Sequence, residues 1–125
     1  MARSKSATLT EAELRIMNVL WEKQSATVHE VLRALPEKLA LAYNSVLTII
    51  RILESKGYVQ HVKDKRAHVY MPKIDREAAK KSEVGHLISR FFGNSRELLV
   101  LNILEDKSID ADELARLRQM LERSK

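Results

Sequence analysis

The sequence predicts a mainly α fold with a small β-hairpin: a winged helix-turn-helix followed by a three-helix dimerisation region. Three observations carry this. Four times a small polar residue is followed three positions later by glutamate, at Thr10/Glu13, Thr27/Glu30, Asn94/Glu97 and Asp110/Glu113, each time ahead of an apolar stripe. Between Tyr58 and Pro72 the composition turns alternating and β-favouring. Only 3 Gly and 2 Pro in 125 residues leave few breaks, which favours long helices.

The elements follow in order. Thr10 and Glu13 satisfy the orphan N–H groups of a first helix, residues 11–22, whose stripe is Leu14, Met17, Leu20 and Trp21. A second, short helix over 28–35 carries Val28, Val31, Leu32 and Leu35 and is closed by Pro36. After a connector from Lys38 to Ala42, a third helix from Tyr43 to Lys56 places Val46, Ile49, Ile50 and Leu53 on one face and stops at Gly57. The hairpin has a charged tip in Lys63-Asp64-Lys65-Arg66. A turn at Asp64-Lys65 pairs His61 with His68 and Val59 with Tyr70, although without a Gly signal the register is free to slip by one.

Beyond Lys73, a fourth helix over 75–92 carries Val84, Leu87, Ile88, Phe91 and Phe92, and Gly93 ends it. The fifth holds Leu98 to Leu101 with Ile103 and Leu104, apolar on more than one face and so in need of cover on two sides. The sixth continues with Leu114, Leu117, Met120 and Leu121. Two domains are expected, 1–72 for DNA binding and 73–125 for dimerisation. A segment of about 50 residues with a two-sided helix is completed most economically by a second copy of itself. Leu87, Phe91, Leu98, Leu101, Leu104, Leu117 and Met120 are the candidate dimer residues.

Composition narrows the function. The chain carries a formal charge of +5, and residues 1–72 hold 11 Lys+Arg against 7 Asp+Glu, whereas 73–125 hold 11 against 10. The positive excess therefore lies in the first module, as a polyanionic partner requires. Without cysteine there is no disulfide, thiolate metal site or thiol catalysis. With no Gly-rich phosphate loop and no Ser-His-acid grouping, an enzyme is not expected, nor is a cofactor. Of the four histidines only His61 and His68 can lie side by side, and two ligands make no metal site. No membrane span or signal peptide is evident, so a cytoplasmic location is expected.

The third helix decides between DNA binding and its rivals, a small α+β domain with no DNA role or a winged helix used for protein contacts. Tyr43, Asn44, Ser45, Thr48, Arg51 and Ser55 come round together, with no acidic residue before Glu54. Short hydrogen-bonding side chains let the helix backbone approach base edges closely. The bland alternative for Asn44 and Ser45 is that they merely cap the helix; Thr48 and Arg51 lie too far in. Lys63, Lys65 and Arg66 are placed to meet phosphates, or to form an ordinary solvated turn.

Leu9 to Trp21 (LTEAELRIMNVLW), Leu41 to Val59 (LAYNSVLTIIRILESKGYV), Lys63 to Pro72, Phe91-Phe92-Gly93 and Leu99 to Asn102 together resemble the penicillinase repressors, the BlaI/MecI/CopY group, over nearly the whole chain. The resemblance implies a homodimer that binds a palindromic operator and represses genes of β-lactam resistance or related stress functions. By position it puts Asn44, Ser45, Leu47, Thr48 and Arg51 against DNA and makes Lys65 and Arg66 the basic wing tip. Ile52 stands where members often carry a basic residue, and could instead extend the core. In the β-lactam branch a membrane sensor's signal leads to cleavage after an Asn in the dimerisation helices, at Asn-Phe; the matching pair here is Asn102-Ile103. The copper branch senses metal through cysteines, which this chain lacks.

Overall fold

The computed structural model describes residues 8–124. Its elements are α1 (Glu11–Lys23), α2 (Val28–Ala34), a short 3₁₀ turn (Glu37–Leu39), α3 (Tyr43–Lys56), β1 (Val59–Asp64), β2 (Ala67–Pro72), α4 (Arg76–Phe91), α5 (Arg96–Leu104) and α6 (Ala111–Arg123). The order is the mainly α, winged arrangement predicted, and the bounds of α3 are those expected. The 3₁₀ turn was not foreseen within the connector.

The caps form as the sequence spells them. The Thr10 and Thr27 hydroxyls accept from the backbone N–H of Glu13 and Glu30, whose carboxylates accept in return from the threonine N–H groups. Asp110 accepts from Glu113 N–H. At α5 the cap is Ser95, accepting from Leu98 N–H, rather than Asn94. Asn94 is instead spent on ending α4: it and Gly93 are both left-handed, at φ 66° and 54°, and the Asn94 N–H donates back to Ile88 O.

The chain divides into two compact units, the first ending at Val84 and the second beginning at Gly85. The break comes later than 72/73 because the first part of α4 is fastened to the first unit. Ala79 is buried in that unit's core, the Trp21 indole N–H donates to Ile74 O, and Leu9 N–H donates to the Glu83 carboxylate at 2.7 Å.

The core of the first unit is Ile16, Met17, Leu20, Val28, Val31, Leu35, Val46, Ile50, Leu53, Tyr58, Val59 and Tyr70. In α1 the buried stripe is rotated from the one expected: Ile16 is fully buried, whereas Leu14 is exposed. The turn inserts Glu13 among the buried positions as partner to Lys56, which shifts the inward face by a residue. In α3, Val46, Ile50 and Leu53 are buried and Ile49 is half-buried against the same core.

The hairpin pairs Val59 with Pro72, His61 with Tyr70, Val62 with Val69, Lys63 with His68 and Asp64 with Ala67. The turn is thus Lys65-Arg66, with Lys65 left-handed at φ 57°, one residue beyond the position expected. Moving a turn by one moves each partner by two, so the same side chains keep the same face and alternation alone cannot tell the registers apart. The hairpin is also held from outside. Ala26, between α1 and α2, forms an antiparallel bridge with Tyr70, each residue's N–H donating to the other's carbonyl at 2.9 and 2.8 Å.

Candidate nucleic-acid interface

The amino end of α3 is bare. Its N-cap is Ala42, which supplies no side-chain bond, and no acidic residue occupies the first turn. Asn44 and Ser45 therefore do not cap the helix; both lie inside it, exposed, at the second and third positions. The capping alternative is removed, and the free N–H groups of the first turn face outward with the positive end of the helix dipole.

At about 100° per residue, Asn44, Ser45, Thr48, Arg51, Ile52 and Ser55 cluster opposite the buried Val46, Ile50 and Leu53. All six are exposed, and so is Tyr43 at the helix start. Leu47 is half-buried against the core, so of the expected contact residues it has the least to offer a ligand. Ile52 is 43% exposed and does not extend the core. The Thr48 hydroxyl donates to Asn44 O one turn back, at 2.9 Å. Glu54 is the sole carboxylate on α3, and it is engaged by Nδ1 of His61 on β1. The outward face of this helix thus carries a cation in Arg51 and no unengaged anion.

Lys63, Lys65 and Arg66 are all exposed on the wing. Arg66 reaches further than the turn itself: with Arg51, Tyr43, Leu47, His29, Thr27, Ala67, His68 and Tyr70 it lines a cleft between α2, α3 and the hairpin. Inside this cleft the His29 and Tyr43 rings lie 4.6 Å apart, tilted by 43°. On the wing His61 and His68 stack at 4.5 Å, diagonal neighbours rather than direct partners. Burial pushes the Tyr70 phenol above its ordinary value, Glu54 adds to this and Arg51 opposes it. The phenol is therefore a neutral floor for a cleft whose rim bears two guanidinium groups. His29, exposed on α2, comes into this cleft through the packing of α2 against α3 and the hairpin, which no local pattern announces.

The other predicted residues lie in the second unit or on the shared helix α4. Leu87, Phe91, Leu98, Leu101, Leu104 and Met120 are exposed, and Leu117 is half-buried. Phe91 stands 67% and Met120 60% exposed, and α5, RELLVLNIL, buries none of its residues. Asn102 and Ile103 are exposed in the last turn of that helix.

A helix-turn-helix whose third helix has a bare amino end and an outward face without acid, followed by a basic wing, defines a winged-helix transcriptional regulator. The comparisons with known proteins narrow the class. Residues 9–123 match the penicillinase repressor family. The chain is 30% identical over 121 residues to the penicillinase repressor of Bacillus licheniformis, covering 97% of this chain and 94% of that protein. It is 32% identical over 120 residues to the transcriptional regulator BlaI of Mycobacterium tuberculosis, covering 94% and 86%. The solution structure of the DNA-binding domain of the repressor BlaI superposes with a TM-score of 0.52 at 30% identity, over 60% of this chain and 93% of that one. The protein belongs to the penicillinase repressor family, whose members are transcriptional repressors and not enzymes.

Proposed function

We propose that this chain is a homodimeric, sequence-specific DNA-binding repressor that occupies a palindromic operator in the cytoplasm and controls genes of β-lactam resistance or a related stress response. The observation that carries the reading is the outward face of α3: six exposed residues, no cap, no acidic group in the first turn, and its one carboxylate engaged by His61. Such a face has nothing to repel a phosphate backbone and short side chains to approach base edges. Asn44, Ser45, Thr48 and Arg51 read the major groove; Tyr43 and Leu47 pack beside them; Lys63, Lys65 and Arg66 hold the flanking backbone. The names of its relatives support the same role.

Dimerisation rests on the second unit. Burying an exposed Leu or Phe side chain contributes about 1.5–3 kcal/mol, and Phe91, Leu98, Leu101, Leu104 and Met120 stand mostly uncovered in a single copy. A second copy supplies equal and complementary faces through a two-fold axis, and that axis in turn explains a palindrome. Cleavage between Asn102 and Ile103 cuts the last turn of α5, detaches Ile103, Leu104 and all of α6 from the rest of the chain, and so separates the half-sites, which lowers affinity by the loss of effective concentration. An upstream membrane sensor that triggers a protease is the matching input.

The test is gel retardation on the DNA upstream of the protein's own coding region, repeated over a salt series. Binding whose logarithm falls linearly with log salt, by about 0.9 per neutralised phosphate, supports the reading. Absence of retardation together with tight binding to a partner protein assigns the fold to protein contacts instead.

A further inference from the structure

Two side chains on the outward face of α3 are poorly suited to hydrogen-bond readout. Thr48 has already committed its hydroxyl proton to Asn44 O, 2.9 Å away. What remains for a base is the γ-methyl and an acceptor lone pair. Ile52, one turn further along the same face, has no polar group at all, yet stands 43% exposed beside Arg51, an unburied cation. An exposed β-branched residue in line with the reading positions contributes little to its own domain. Placed in a major groove it contributes a good deal, because thymine is the one base that presents a methyl group there.

We propose that Thr48 and Ile52 form a methyl ridge that reads the 5-methyl groups of thymines, so that operator choice depends at those base pairs on apolar contact rather than hydrogen-bond exchange. The inference rests on the DNA-binding reading above. It assigns a function to Ile52, a residue the family pattern leaves unexplained. The occupant is a thymine edge, because the ridge is continuous with the exposed Ser45 and Asn44 toward the helix amino end, and because Arg51 on the same face draws the duplex to it.

The experiment uses the full-length protein and a duplex it selects from a random-sequence pool. Each thymine of that duplex is replaced singly by deoxyuridine, which deletes the methyl and leaves the Watson–Crick and major-groove hydrogen-bonding groups unchanged. The expected result is a loss of affinity of roughly fourfold, the worth of one methyl group withdrawn from water, at two thymines per half-site. Thr48→Ser, which keeps the hydroxyl and loses the methyl, abolishes the thymine-over-uracil ratio at one of them; Ile52→Ala abolishes it at the other. Thr48→Val, which keeps the methyl and loses the hydroxyl, retains the ratio. Sequence-specific binding with no sensitivity to uracil, or with the same sensitivity in Thr48→Ser and Ile52→Ala as in the unaltered protein, overturns the methyl ridge while leaving the repressor reading intact. Failure to select any duplex overturns the repressor reading and the ridge with it. Because the uracil series alters only the DNA, it decides the matter even where a variant folds poorly.

Discussion

Lys56 Nζ lies 2.8 Å from Glu13 Oε1, with 9% and 5% of the two side chains exposed, and it also donates to Thr8 O at 3.0 Å. The pair joins the last turn of α3 to the first turn of α1. The same carboxylate oxygen accepts the Thr10 N–H, so one acid completes a helix cap and an ion pair together. The carboxyl terminus of α3 is therefore held by charge, while its amino end is left free for a ligand.

Removing one member of a buried pair leaves the other desolvated and unpaired, which costs on the order of 3 kcal/mol. We expect Glu13→Gln to lower unfolding free energy by about that amount in urea titrations. The double variant Glu13→Gln with Lys56→Met should recover most of the loss, since it removes the stranded charge. An additive double variant contradicts the coupling.

Acid should act through the same residue. Burial pushes the Glu13 carboxyl up, but hydrogen bonds from Lys56 and from the Thr10 backbone, with the Lys56 charge, outweigh it and hold the group below its ordinary value of 4.5. A depressed folded value means that the contribution to stability is fully present above about pH 4.5 and is lost as pH falls through the folded value. The stability gap between the natural protein and Glu13→Gln should accordingly narrow below pH 4.5. Urea midpoints measured from pH 7 to pH 3 check this; a constant gap refutes it.

Thr48→Ala and Lys65→Ala should separate readout from positioning. The first relaxes sequence preference at one base pair per half-site, a loss of roughly fourfold in discrimination if a single methyl contact is what is removed. The second weakens binding to all sequences about equally and lowers the salt slope by about one for each wing. Footprinting on matched and mutated operators distinguishes the two patterns.

Leu101 is 49% exposed on a helix that buries nothing. Leu101→Glu should convert a dimer into a species of the 14.4 kDa chain mass in sedimentation at micromolar concentration, without altering the melting of the first unit. If the natural protein already sediments as a monomer, the palindromic reading fails.

Cutting between Asn102 and Ile103 should have the same consequence as Leu101→Glu. A cleavable sequence placed there for a specific protease lets the cut be made on operator-bound protein. Release of DNA within the time of cleavage supports the switch; retention opposes it.

Much of this was legible before any coordinates. Thr10, Thr27 and Asp110 announced helix starts because a cap is a local device, complete within four residues. The span from Tyr43 to Lys56 was legible for a similar reason: Gly57, left-handed at φ 86°, stops the helix within its own turn. What escaped was long-range. The Glu13–Lys56 pair joins residues 43 apart, and its insertion into the core edge is why Ile16, not Leu14, faces inward. The hairpin register was not legible, since both registers present the same faces, and neither was the Ala26–Tyr70 bridge. The reading face was visible as a pattern, but its chemistry was not: Thr48 looked like a hydroxyl donor until its proton was found committed to Asn44.

The bare amino end and the exposed face of α3 have a consequence for descent. Apart from the Thr48 back-bond, no cap or ion pair among the described residues of the first unit uses Asn44, Ser45, Arg51 or Ile52, so exchanging them costs the fold little. Meanwhile Lys56, Glu13, Ala26 and Tyr70 keep the scaffold in place from elsewhere. A duplicated copy of such a gene can drift onto a new operator through a handful of codons without passing through an unfolded ancestor. Diversity of targets across a family then requires no diversity of architecture.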